Sequence, residues 1–300
     1  MNPKLSIGSW AFAFGPFASD PWPFDRILRY AAHAGYDGVE INGFAPHPTP
    51  DSHPTKASRE ELLADIQAHG LGISGYAPDF TAVPPDQCEQ EAYLALMRSY
   101  LEFCTDLGIT TIRVDTVSPP AELPPEEYEA RFARLSATWR AAAELAATAK
   151  ILIVWEFEPG FWLNKPSEVK RLVEAVDHPF FKVLFDTSHA YMSGVIGARH
   201  GGKKEILPGG IIEYAQLLKP HIGHFHLIDS DGTLHDEETS THAEFGAGHL
   251  DFTAFLSAMK PVLSELSWWG IDFCFNAQVE EWGREAVPFL QARIKEAEAQ

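Results

Sequence analysis

Cysteine is scarce in this chain. Three in 300 residues (Cys88, Cys104 and Cys274), none at CxxC spacing, argue against a disulfide-stapled scaffold and a thiolate zinc site. They fit reduced, mostly buried thiols in a cytoplasmic protein. Basic residues are also few. Lys and Arg number 23 against 42 Asp and Glu, a formal charge of −19, whereas neutralising nucleic-acid phosphates requires clustered cations; no nucleic-acid partner is expected. No uncharged apolar run reaches about 18 residues, so no membrane span is expected. The start, MNPKLSIGSWAF, lacks the charged-then-apolar pattern of a signal peptide. Also missing are a GxGxxG after the first strand, which would mark a dinucleotide site, and any Ser-His-Asp or Cys-His arrangement in supporting context. There is no linker, composition break or low-complexity tract, so one domain over residues 1–300 is the expectation.

What the chain does have is 45% hydrophobic residues in a regular alternation of short β-like runs and longer helical ones. Strands are expected at residues 4–9, 36–41, 71–76, 109–115, 150–156, 181–186, 221–228 and 268–273. Helices are expected at 24–33, 86–107, 125–149, 167–176, 211–218, 251–263 and 283–296, with another capped by Ser58 and running to His69. Strands alternating with helices imply a parallel sheet, and eight such units imply an α/β fold closed as a (β/α)8 barrel. An open doubly wound sheet is the alternative. A barrel carries its chemistry at the C-terminal ends of its strands. The loops after the second, sixth and seventh strands are long enough to contribute.

Titratable residues cluster at those ends. The fifth strand runs into Glu156, and the sixth into Asp186 with His189 three residues on. Two carboxylates at adjacent strand tips could hold a divalent cation or act as an acid/base pair, or simply form rim salt bridges. In the seventh strand His224 and His226 share a face, because side chains alternate with period two. His226, nearer the tip, is the ligand candidate and His224 its buried support. Asp272 lies in the apolar eighth strand, where an unpaired carboxylate is costly to bury. It needs a metal or a cation, and Arg284 is the nearest basic residue in sequence. Glu156, Asp186, His226 and Asp272 together form a three-carboxylate, one-imidazole set. Such a set suits one divalent ion, Mn²⁺ first, with Mg²⁺, Fe²⁺, Co²⁺ and Zn²⁺ also compatible.

With Glu156, the D-x-x-H of Asp186 and His189, the H-x-x-D of His226 and Asp229, and FGAGHLDF (residues 245–252), the chain resembles the xylose isomerase-like barrels, the sugar phosphate isomerases/epimerases, along its full length. The resemblance implies a single divalent ion held by Glu156, Asp186, His226 and a strand-eight acid. That acid is usually glutamate and here is Asp272. It also implies that His189 contacts substrate or a second metal. In the ketose epimerases of this family, two metal-bound carboxylates exchange a proton next to a carbonyl. An arginine that those enzymes carry six residues after the strand-seven histidine is Gly232 here. The DNA-repair branch, which binds three zinc ions, ends its strand-seven loop in D-R-H; this chain has Ser240, Thr241 and His242. It has Arg113 and Asp115 in place of that branch's strand-four histidine, so DNA cleavage is not expected.

Other residues stand as candidates beside blander readings. Glu158 and Lys165 would bind substrate hydroxyls or phosphate, or form a rim ion pair. His242 would be a site residue or an exposed loop histidine. Trp10, Phe12, Phe161 and Trp162 would wall a sugar's apolar face or pack the loops. Glu40 would support the ligands from behind. His47 and His53 are expected in solvent; the acidic run from His235 to Glu238 would be a solvated loop or would close over substrate. The expected function is a metal-dependent sugar or cyclitol isomerase/epimerase. Glu156, with Asp272 or Glu158, would move a proton and His189 would hold the substrate oxygen. A lyase using the same first step is the alternative: a keto-sugar or inosose dehydratase, or a deglycosidase. A non-catalytic sugar-binding subunit is a third reading. The expected partner is a small sugar or cyclitol, in a homo-oligomer or with a partner subunit.

Overall fold

A computed structural model of the chain describes residues 1–299. Its strands are short apolar runs: β1 Lys4–Gly8, β2 Gly38–Gly43, β3 Gly72–Pro78, β4 Thr111–Val114, β5 Leu152–Glu156, β6 Phe181–Asp186 and β7 Ile222–Leu227. A two-stranded antiparallel hairpin follows, β8 Asp229–His235 and β9 Thr239–Ala243, and then β10 Trp268–Ile271. Strands β1–β7 and β10 pair in parallel and close a barrel in the order β1-β10-β7-β6-β5-β4-β3-β2. Parallel strands covered on both faces read as continuous apolar runs, and β5, with Ile153, Val154, Trp155 and Glu156 all buried, is typical.

The surrounding helices are α1 Phe24–Ala34, α2 Lys56–Ala68, α3 Gln90–Asp106, α4 Pro125–Ala149, α5 Pro166–Val176, α6 Thr187–Tyr191, α7 Gly210–Leu218, α8 Phe252–Leu263 and α9 Val279–Glu298. In α1, Ile27, Leu28 and Ala31 are buried, and the helix stops at Gly35 in the left-handed region, as expected of a C-terminal glycine. The α2 cap differs from the expectation. Thr55 is the N-cap and Ser58 sits three residues in, each side chain bonding the other's backbone. Serine's hydroxyl both donates and accepts, so it fills the position that glutamate takes in the usual capping box.

Side-chain alternation decides what reaches the barrel interior. On β7, Phe225 points outward to Phe185 and to Phe255 of α8, so its neighbours His224 and His226 point inward. On β6, Phe185 packs outward against Tyr214 of α7, which turns Asp186 in. On β5, Trp155 faces Trp139 of α4, which turns Glu156 in. Gly270 of β10 leaves the room these groups need. A Cβ there would lie 2.6 Å from the His226 ring.

Candidate metal centre and its cavity

Glu156, Asp186, His226 and Asp272 converge. All four are buried, and one donor atom from each lies within 4.8 Å of the others. His226 Nδ1 is 2.7 Å from Glu156 Oε1 and 3.8 Å from Asp272 Oδ2, so this nitrogen faces the cluster. Its Nε2 is 3.0 Å from Glu40 Oε2, and His224 Nε2 reaches the same oxygen at 3.3 Å. Glu40 therefore accepts the Nε2 proton and leaves Nδ1 for the cluster, the arrangement that orients a metal-ligating histidine. Burial works against charge on both groups. Even so, His226 and His224 hold the Glu40 carboxyl below the usual range, while Glu40 and Glu156 hold His226 well above the usual imidazole value.

The D-x-x-H spacing has a local cause. Asp186 ends β6 and is the N-cap of α6, its Oδ1 accepting from the His189 backbone N–H at 2.7 Å. Its Oδ2 is buried with no hydrogen-bond partner. Burial, together with the Asp272 and Glu156 charges, pushes the Asp186 carboxyl well above its ordinary value. A buried carboxylate oxygen without a partner, facing two more carboxylates and an imidazole, is a donor set that a divalent cation satisfies. The residues fit such an ion. Asp272 is held from the other side by the Trp10 indole N–H.

A cavity of about 230 Å³ opens above this floor, lined among others by Trp10, Arg113, Glu156, Glu158, Phe161, His189, His242 and Asp272. Arg113, from β4, places Nη1 2.8 Å from Glu156 Oε2 and Nη2 3.2 Å from Asp115, with its guanidinium over the Trp10 ring. Burial opposes the Glu156 charge, but Arg113 and His226 hold its carboxyl below the usual range. Glu158 behaves oppositely. Burial and the nearby Asp115 push its carboxyl up to about 8, and Thr239 donates to it. His189 is kept neutral by burial, its pKa lowered to about 3. Its Nδ1 meets Ser240 Oγ at 2.9 Å, and its Nε2 lies 4.0 Å from Glu158.

The hairpin supplies part of this cavity. The stretch after the seventh strand folds as β8 and β9 and brings Thr239, Ser240 and His242 to the opening. His242 is buried, 3.7 Å from Asp272, and neither ring nitrogen has a hydrogen-bond partner. A second donor set, Asp186, His189, His242 and Asp272, thus overlaps the first. Asp229 anchors the hairpin's return. Its carboxylate accepts from the backbone N–H groups of Ser230, Gly246, Gly248 and Leu250, which explains why H-x-x-D and the glycine-rich segment occur together.

Several expectations are corrected. Lys165 does not reach the cavity. It precedes α5 at the N-cap position and lines a separate surface cleft with Ser167, Glu168 and Arg171. Trp162 is buried edge-on against Tyr128, and Phe12 packs on Trp22 behind the wall; only Trp10 and Phe161 of the four proposed wall residues line the cavity. His47 is buried, bonded to Ser9 and the Trp22 carbonyl, because the loop after β2 packs against the segment between β1 and α1. In the run from His235 to Glu238 the three acidic residues are exposed as expected, while His235 is half-buried and stacks on Phe275 at 4.4 Å. Arg284 is exposed and pairs with Glu280. The cation near the carboxylates is Arg113, which with Asp115 two residues on is a pair of charges in an otherwise apolar strand.

A family profile described as xylose isomerase-like TIM barrel matches residues 28–263. Among curated proteins, an inosose dehydratase of Salmonella agona is 25% identical over 177 residues, 57% of this chain and 55% of that protein. One of Geobacillus kaustophilus is 24% identical over 199 residues, 62% of this chain and 60% of that protein. Both matches cover less than two thirds of those relatives. Among solved structures, D-psicose 3-epimerase with D-tagatose from Clostridium cellulolyticum H10 superposes with TM-score 0.72 at 15% identity, covering 97% of this chain and 99% of that one. A likeness at that identity establishes the fold.

Proposed function

The chain belongs to the xylose isomerase-like TIM barrel family, and on that premise we propose that it is a metal-dependent sugar or cyclitol isomerase/epimerase moving a proton at the carbon beside a carbonyl. The observation that carries this reading is the buried set Glu156, Asp186, His226 and Asp272 at the floor of a cavity, with Asp186 Oδ2 unpartnered. These four residues would hold one divalent ion, Mn²⁺ by the oxygen-rich character of the set. The ion, when bound, supplies Lewis acidity at the substrate's carbonyl and adjacent hydroxyl.

The chain's own groups do the rest. Glu156, kept ionised beside Arg113, takes the proton from one face of the carbon, and Asp272, across the cluster, delivers a second proton to the opposite face. The Arg113 guanidinium stabilises the negative charge that develops on the enediolate oxygens. His189, neutral and fixed through Nδ1 by Ser240, presents Nε2 to a substrate oxygen. The aromatic wall and the hairpin exclude water from the exchanging proton.

A second reading, a lyase, is favoured by one specific feature. Glu158 holds its proton up to about pH 8 and lies in the same cavity, a carboxylic acid placed to protonate a departing hydroxyl or glycosyl oxygen. Incubation with Mn²⁺ and keto-sugars or inososes in D₂O separates the two. Deuterium uptake with epimer formation supports the isomerase, and loss of water or aglycone supports the lyase. No exchange with any of them, or an unchanged rate in Glu156→Gln, would defeat the proposal.

A further inference from the structure

The cavity has two chemically distinct halves, and the reading above assigns substrate contacts in only one. Beyond the charged floor it is lined by Phe14, Phe44, Phe161 and Phe275. None lies on a barrel strand; each sits on the loop that follows β1, β2, β5 or β10. All four are half-buried. Phe14 meets Phe44 edge-on at 5.7 Å and stacks on Phe275 at 6.4 Å, and His235 of the hairpin lies flat on Phe275. The backbone is bent to keep this collar. Phe275 has φ of 60°, an outlier for a bulky residue that persists only where the surroundings impose it. Gly15 makes room for it, since a Cβ there would fall 2.8 Å from the Phe275 Cα.

A sugar's hydroxyls need hydrogen-bond partners, and the floor supplies them through Arg113, Glu158, His189 and the carboxylates. The four phenyl rings supply none. A phosphorylated substrate would need a cluster of cations, whereas among the described residues Arg113 is the one Lys or Arg lining the cavity, and it is shared with Glu156 and Asp115. We propose that the substrate is a sugar bearing an apolar, aryl-type substituent, with the sugar on the charged floor and the substituent in the collar of Phe14, Phe44, Phe161 and Phe275. This rests on the sugar-enzyme reading and narrows it to glycosides that carry a ring ketone, over free or phosphorylated sugars, because the anomeric carbon of a glycoside is an acetal and offers no carbonyl itself. Aromatic rings held offset or edge-on gain affinity beyond their buried area, so the aryl group should be felt as a large change in binding.

The test uses the full chain with Mn²⁺ and matched pairs of ligands, phenyl and methyl β-D-glucopyranoside and phenyl and methyl β-D-galactopyranoside, titrated calorimetrically. The phenyl member of at least one pair should bind at least about tenfold tighter. Phe275→Leu and, separately, Phe161→Leu should bring that ratio to about twofold or less. Equal affinity within both pairs, or no binding of any glycoside, overturns the assignment. The D₂O exchange, run on phenyl glycosides bearing a ring ketone as well as on free keto-sugars, is scored apart from it. Exchange combined with equal glycoside affinities removes the collar and leaves the isomerase, whereas a phenyl preference without any exchange leaves the collar and removes the isomerase.

Discussion

Adding Mn²⁺ to the metal-free protein is expected to raise its melting temperature, by an amount that can be worked out. A ligand that binds only the folded chain stabilises it by about 2.7 kcal/mol at a hundred times its dissociation constant. At roughly 2.1 cal/mol/K of unfolding entropy per residue, 300 residues turn that into a rise of about 4 °C. The rise should also depend on pH. The Asp186 carboxyl is pushed well up by burial and by Asp272 and Glu156, and a ligand must be deprotonated. Proton and cation therefore compete at Asp186, so the rise should be larger at about pH 8 than at about pH 6. Asp186→Asn separates this from non-specific effects. The amide oxygen can still cap α6 by accepting from the His189 N–H, but it no longer offers an anionic donor. In scanning calorimetry the variant should fold and lose the Mn²⁺-induced rise. A wild-type protein indifferent to Mn²⁺, or a variant with the full rise, would refute the reasoning.

Other expectations follow from the same geometry. Glu40→Gln removes the carboxylate that fixes the His226 tautomer and should weaken Mn²⁺ binding by about ten- to a hundredfold, read by calorimetric titration. Arg113→Met should lower kcat by about a hundredfold or more if the guanidinium stabilises developing charge; an unchanged kcat would remove it from the mechanism. In the metal-free protein Glu158, whose folded pKa of about 8 lies above its ordinary 4.5, binds its proton more tightly when folded. Its contribution to stability is present below pH 4.5 and lost as pH rises through about 8, so Glu158→Gln should raise the melting temperature more at about pH 9 than at about pH 5. Asp229→Ala leaves four backbone N–H groups without their acceptor and should cost about 3–5 kcal/mol in urea unfolding.

The alternation of eight apolar runs with eight helical segments was enough to identify the barrel, because a parallel strand covered on both sides has to be apolar throughout and its crossover helix amphipathic. The same pattern places Glu156, Asp186 and Asp272 at strand tips. Period-two alternation then turns His224 and His226 to one side. What was not legible lies in long-range contacts. Arg113 reads as any charge near a strand end until β4 and β5 are paired and its guanidinium falls against Glu156. Glu40 looked like a supporting acid, but only barrel closure shows that its single oxygen holds both His224 and His226. Lys165 and Trp162 were misplaced because the loop after β5 turns back to pack on α4 and α5.

The sequence by itself therefore determined the fold and the ligand-type residues at the strand tips, since periodicity and residue chemistry are local properties. Tertiary structure alone decided which charges meet, which carboxyls keep their protons, and which loop aromatics share the cavity. Burial and Coulomb interactions depend on distances between residues far apart in the chain. The β8–β9 hairpin shows the difference most plainly. In sequence it is an acidic loop, and in space it brings Thr239 to Glu158, Ser240 to His189 and His242 to Asp272.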